Sequence, residues 1–239
     1  VTVKPHLDLW SGIGLVAANM IGAGVFLSAG FMAQTMSAGW ILVDWAFGMV
    51  LALAGARAYA EVARLVPRSG GEYRYLSELV HPWLGYLAGW ASLLVGFAAP
   101  IAINAVGAGA FLDTVFDLPE PRILATLFLV ALTASHGVNL AASRLTQNVL
   151  IAIKVALLVG FVAIGLALGS NEWPRWVPPT GSTAFHIGDF MGNMFWIAFA
   201  FSGWNAAIYA ASEFKRPARD VPRAMLIGCA AVGVLYILV

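Results

Sequence analysis

The sequence predicts an all-α integral membrane protein, and three observations carry that assignment. Charged residues make up only 10% of the 239 positions, whereas soluble domains carry roughly 25%. Mean hydropathy is +0.84. Seven apolar runs approach or exceed the roughly 20 residues that a helix needs to cross a bilayer. They cover residues 9–32, 40–58, 83–112, 123–137, 145–168, 187–211 and 224–239. The runs are continuously apolar rather than alternating, which selects helices over a barrel, because lipid forces each segment to pair its own backbone groups.

The first run follows VTVKPH, which has neither an initiating methionine nor a signal-peptide pattern, so it is read as a span rather than a targeting segment. The last residues, AAVGVLYILV, form an unfinished apolar helix, and the expectation is a chain trimmed at both ends. The fourth run is short and the seventh truncated. Pro100 is the one proline deep within a predicted span and should bend the third helix. Asp44, near the outer end of the second run, is read as an interfacial residue, and His136, at the inner end of the fourth, as structural. Glycine pairs at spacing four, Gly85 and Gly89, Gly165 and Gly169, and Gly188 and Gly192, are expected to let helices approach closely.

Orientation follows from the lysines and arginines of the short loops. With the N-terminus cytoplasmic, the inner segments hold ten: Lys4, Arg57, Arg64, Arg68, Arg74, Arg144, Lys215, Arg216, Arg219 and Arg223. The outer loops hold two, Arg122 and Arg175, together with Asp113, Asp117, Glu120 and Glu172. This dispersal of arginine serves topology and argues against nucleic-acid binding. The single cysteine, Cys229, excludes an internal disulfide framework and a cysteine-built metal site.

Two runs are weak at their centres. GAG at Gly22, Ala23 and Gly24 interrupts the first, and Ser202 with Gly203 interrupts the sixth; glycine costs a helix backbone entropy. The two soft centres lie five spans apart, as the first helices of successive repeats would. Residues 9–168 then form a first five-helix repeat and 187–239 the start of a second, inverted one, within a single transmembrane domain over 1–239. Inverted-repeat transporters place substrate between such discontinuous helices at the midplane. A break frees N–H groups at one half-helix start, which attract anions, and carbonyls at the other half-helix end, which accept from cations. A zwitterionic amino acid matches both. Its carboxylate is expected on N–H groups around Ala23 and Gly24, and its ammonium on carbonyls near Met20, Phe199 and Ser202.

Five stretches in order, NMIGAGVF from Asn19, PRSGGEYRYL from Pro67, GVNLAASRLTQNVLIAIK from Gly137, FAFSGWN from Phe199 and SEFKRPARDVPRA from Ser212, resemble the amino acid, polyamine and organocation (APC) transporters. FAFSGWN is most similar to the branch containing the L-type amino acid transporters. The resemblance covers nearly the whole chain and implies a LeuT-type inverted-repeat fold, here truncated to about seven transmembrane helices. It further implies that Met20, Ile21, Gly22, Ala23 and Gly24 line the substrate-binding break. Phe199, Ala200, Ser202, Gly203 and Asn205 would line the facing one, with Phe199 covering the substrate from outside. Ala23 stands where many members have serine, and Asn205 where some arginine exchangers have an acidic residue.

Lys154 lies about ten residues past Arg144, or ~15 Å into the membrane at helical rise, where an ionised lysine is costly. By the same resemblance it replaces the sodium ion of related symporters, making it the candidate for proton coupling or for a fixed structural cation; the alternative is a lysine snorkelling to the inner face. GIGLVA from Gly12 mimics a dinucleotide fingerprint but no strand precedes it. No HExxH, GxSxG or paired-cysteine motif occurs, so neither an enzyme nor a cofactor or metal is expected. The expected function is secondary transport of an amino acid across the cell (inner) membrane by alternating access, either proton-coupled or by exchange. A non-transporting amino acid sensor and an inactive fragment are the alternatives. The expected partners are the amino acid, membrane lipid and, for the coupled mode, protons; the sequence does not say whether an accessory subunit is needed.

Overall fold

The computed structural model describes residues 5–116, 120–138, 140–169 and 185–239, apart from the side chains of 121, 138 and 140–144. Lys4, Asp117, Glu172 and Arg175 of the orientation argument lie outside those residues, as does the side chain of Arg144. The described residues are mostly helical and form no strand beyond one isolated bridge between Leu7 and Phe214. The chain divides into two compact units, residues 1–75 with 155–239, and residues 76–154.

In the first unit α1 spans Leu9–Met20 and α2 Ala23–Met32. Asp8 starts α1 by accepting the Ser11 N–H at 2.9 Å, and that amide bond is the main cause holding its carboxyl below the ordinary value. Between the helices, Ile21 and Gly22 are extended, and the axis turns by 43°. The next helix, α3, runs over Ala38–Leu65 and buries Gly48, Ala52, Ala56 and Ala60, one small residue per turn. That smooth face lets other helices close on it. A Cβ on Gly48 would lie 2.2 Å from Ile197 Cγ2. Following α3, α4 covers Gly71–Leu79 and enters the unit only with its first residues.

In the second unit α5 (Pro82–Ala91) passes through a π-helical stretch, Ser92–Ala98, into α6 (Ala99–Phe116). Pro100 has no N–H to donate and its ring crowds the preceding turn. A wider turn of the helix lies just before it, where the Ala99 N–H reaches back five residues to the Leu94 carbonyl. Next, α7 covers Pro121–Val138 and packs on α6, and α8 covers Leu140–Leu168, of which the residues up to Lys154 belong to this unit and those from Val155 to the first.

Back in the first unit, α9 runs over Ile187–Ala200 and gives way to irregular backbone before the short α10, Ala206–Tyr209. A 3₁₀ turn at Ala211–Glu213 leads to α11, Pro217–Leu238. Pro217 sits in its first turn, where a missing N–H costs nothing. α11 packs against both α1 and α3. Glycines close these interfaces: a Cβ on Gly228 would lie 2.8 Å from Val16 Cγ1, and one on Gly233 2.7 Å from Met49 Cγ.

Among the described residues, four helices are long and apolar enough to cross a membrane: Ala38–Leu65, Pro82–Phe116, Leu145–Leu168 and Pro217–Leu238, with the bent α1–α2 pair as a fifth. The fourth predicted span is a shorter apolar helix, Arg122–Gly137. The sixth is split, because α9 ends after 14 residues at the expected soft centre.

Two expectations are corrected. Asp44 is fully buried rather than interfacial, because it shares a face with Gly48, one turn away on the side of α3 that packs on α9. Among the described residues, its two carboxylate oxygens have no hydrogen-bond partner. Of the predicted glycine pairs, Gly188 and Gly192 make no close contact: among the described residues, a Cβ on either, or on Gly165, would meet nothing within 4 Å, whereas one on Gly169 would lie 2.3 Å from the Gly165 carbonyl oxygen. The tight approaches fall instead at Gly12, Gly48, Gly228 and Gly233, isolated glycines that spacing does not pick out.

Candidate functional site: two helix breaks in contact

The first break falls at Ile21 and Gly22, one residue ahead of the centre of the GAG triplet. Ala23 and Gly24 thus become the opening residues of α2, with N–H groups that no preceding turn can accept. This is the geometry that suits an anion at a helix start. Gly22, extended at φ −135°, has no side-chain cap to occupy those donors.

The second break begins at Phe201 and runs to Asn205. Gly203 adopts φ +99°, a left-handed conformation that favours glycine. The Phe199 carbonyl accepts both the Ser202 N–H at 3.1 Å and the Ser202 hydroxyl at 2.7 Å.

The structure brings the two breaks together. A Cβ on Gly24 would lie 2.8 Å from Ala200 Cα, and one on Gly203 would lie 2.8 Å from the Asn19 carbonyl oxygen. Each break is thus pressed against the backbone end of the other's helix, an approach only glycine permits. Ser28, one turn into α2, donates to the Gly24 carbonyl at 2.5 Å and to the Trp196 carbonyl of α9 at 3.2 Å. Phe31 and Trp196 stack with centroids 4.7 Å apart. Met20, Ile21, Gly24 and Ala200 are buried, Gly22, Ala23, Phe199, Gly203 and Asn205 are partly exposed, and Ser202 is exposed.

Two residues outside the sequence-derived set join this site. Tyr236 of α11 donates its hydroxyl to the Met20 carbonyl at 2.7 Å and lies 3.3 Å from the Ala200 carbonyl, so one phenol ties the ends of α1 and α9. Its ring packs edge-on to Trp45 and Phe201, each with centroids 5.4 Å away. Glu72 of α4 is the other. Its carboxylate accepts from Asn205 Nδ2 at 2.8 Å and from the Tyr209 hydroxyl. No signal marked Tyr236, a single tyrosine in an apolar run; Glu72 lies in the GGEY stretch, but the sequence gives no partner for it.

These bonds already occupy two of the expected acceptors. The Met20 carbonyl is engaged by Tyr236 and both lone pairs of the Phe199 carbonyl are taken by Ser202. Of the three carbonyls expected to accept an ammonium group, Ser202 is the one that no described donor reaches. Lys154 is partly buried on α8, in the other compact unit.

The amino acid permease family model matches residues 7–239. Among curated proteins, the chain is 31% identical over 254 residues to the b(0,+)-type amino acid transporter 1 of Rattus norvegicus, covering 99% of this chain and 50% of the relative. It is 29% identical over 252 residues to the Asc-type amino acid transporter 1 of Mus musculus, covering 99% and 47%. The Large neutral amino acids transporter small subunit 2 of Mus musculus is 27% identical over 250 residues, covering 99% and 47%. The chain therefore spans about half the length of the curated relatives it matches.

Proposed function

Because the chain belongs to the amino acid permease family, we propose that it carries the substrate-recognising half of a secondary amino acid transporter of LeuT-type fold, working by alternating access in the cell membrane with its N-terminus cytoplasmic. The observation that carries this reading is the mutual contact of the two breaks, Gly24 against Ala200 and Gly203 against Asn19. Two discontinuous helices meeting end to end offer unpaired donors and acceptors at one place.

The substrate carboxylate sits on the N–H groups of Ala23 and Gly24, where the α2 dipole favours negative charge. The ammonium group is directed to the Ser202 carbonyl and to Asn205, across the break. Ile21, Gly22, Phe199, Ala200 and Gly203 supply an uncharged wall, with the Phe199 ring as its aromatic part. That lining suits a neutral amino acid, in keeping with the relative named for large neutral amino acids. Lys154 is the residue assigned to proton coupling; in an exchanger it acts as a fixed cation.

Counterflow tests this reading. The complete open reading frame is reconstituted in liposomes preloaded with unlabelled L-leucine, and uptake of trace labelled L-leucine is followed. Transient accumulation above equilibrium is expected. Binding without counterflow would assign the protein as a sensor, and neither binding nor counterflow across the neutral amino acids would contradict the reading altogether.

A further inference from the structure

We propose that Glu72 is a positioning residue that fixes the polarity of the Asn205 amide, so that the carboxamide oxygen, and not its nitrogen, is presented to the substrate's ammonium group. The inference rests on the transporter reading above and deepens it.

A carboxylate only accepts hydrogen bonds, so its partner on Asn205 has to be the NH₂ end. Glu72 Oε1 accepts from Asn205 Nδ2 at 2.8 Å. The other carboxylate oxygen accepts from the Tyr209 hydroxyl, which keeps the carboxylate from rotating away. With one of its two N–H groups held by Glu72, the Asn205 amide is kept from turning over, and its oxygen stays available as an acceptor matched to N⁺–H donors. Asn205 lies two residues after Gly203 and immediately precedes α10. It therefore stands at the end of the second break.

The backbone around Glu72 is shaped for this contact. Gly71, the first residue of α4, has φ +55°, and a Cβ there would lie 2.4 Å from Tyr209 Cε1. Glycine at 71 thus lets the Tyr209 ring close on the α4 start and puts the next residue, Glu72, beside its hydroxyl. One turn of chain away, Ser69 and Ser212 exchange bonds: the Ser69 N–H donates to Ser212 Oγ at 3.0 Å and the Ser212 N–H to Ser69 Oγ at 2.9 Å. The 69–72 segment is keyed to the 205–212 segment at three points. Burial, with the Glu72 charge as a smaller cause, pushes the Tyr75 phenol up, so a second tyrosine beside this carboxylate stays neutral.

The test is a double-mutant cycle in the complete open reading frame: wild type, Glu72→Gln, Asn205→Ala and the double variant. The probe is the tightest binder among the twenty proteinogenic L-amino acids. Glutamine at 72 can present an N–H to Asn205 and let its amide turn over. Glu72→Gln is expected to weaken binding about fivefold and Asn205→Ala by tenfold or more, on the scale of charge-assisted hydrogen bonds. The double variant should match Asn205→Ala alone, because Glu72 acts through Asn205; a purely structural role would add its cost in both backgrounds. Hydrogen exchange should quicken over residues 199–214 in Glu72→Gln and stay unchanged in α3 and α11. Unaltered binding in Glu72→Gln, or additive costs, overturns the positioning role while leaving the transporter reading intact. Wild-type protein that binds none of the twenty overturns both.

Discussion

The Tyr236 hydroxyl lies 2.7 Å from the Met20 carbonyl oxygen. Met20 closes α1 at a point where no later N–H of its own helix can reach that carbonyl, since the chain turns extended at Ile21. The phenol replaces the missing helical donor, and its 3.3 Å approach to the Ala200 carbonyl extends the same service to α9. A break in a membrane helix is tolerated where neighbouring side chains re-satisfy the freed backbone groups.

Tyr236→Phe keeps the ring contacts with Trp45 and Phe201 and removes only the donor. The buried Met20 carbonyl is then left unpaired, which costs about 1–3 kcal/mol. A lower thermal midpoint in detergent is expected, and an unchanged midpoint would show that the bond contributes nothing.

Gly203→Ala meets two obstacles at once, the left-handed φ of +99° and the Asn19 carbonyl oxygen 2.8 Å from the new methyl. A loss of about 1–3 kcal/mol from backbone strain alone is expected. Gly14→Ala is the control, since its Cβ would meet nothing within 4 Å, and there the substitution should be neutral or slightly stabilising. Thermal unfolding of the two variants side by side checks the contrast; equal behaviour would contradict the contact between the breaks.

Asp8 begins α1 through the Ser11 N–H, and that bond lowers its carboxyl in the folded protein. A lowered folded value means that the cap stabilises the folded state above the ordinary carboxylate range and is lost as pH falls through the folded value. Asp8→Ala should remove the cap at every pH. Faster amide exchange over Leu9–Gly12 than in wild type, with the difference shrinking in acid, is the expected result.

Lys154→Ala tests coupling. If the lysine exchanges the driving proton, uptake by the variant should lose its dependence on pH while substrate still binds. Uptake that keeps its full pH response would leave Lys154 a fixed cation.

Much of this architecture was legible in the sequence, and the reasons differ by residue. Gly22 and Gly203 announced the breaks because glycine inside an apolar run contradicts the local helical preference, a conflict visible without any partner. Ala23 and Gly24 were legible as part of the first break for the same reason, and α2 restarts at the triplet's centre, Ala23. Tyr236 was not, because its role consists of two carbonyls that lie 216 and 36 positions away in sequence. Asp44 was misplaced because distance along a helix reports depth but not the face. The glycines that close α3 on α9 and α11 on α1 escaped detection too: a Gly48 or Gly228 matters only through the Ile197 or Val16 opposite it.

The most direct test is a cryo-EM structure of the complete open reading frame with its amino acid bound. The account expects ligand density at the paired breaks, with the carboxylate about 2.7–3.2 Å from the Ala23 and Gly24 nitrogens and the ammonium facing Ser202 and Asn205. Density elsewhere, or a ligand lying at the breaks with its carboxylate turned away from α2, would contradict it.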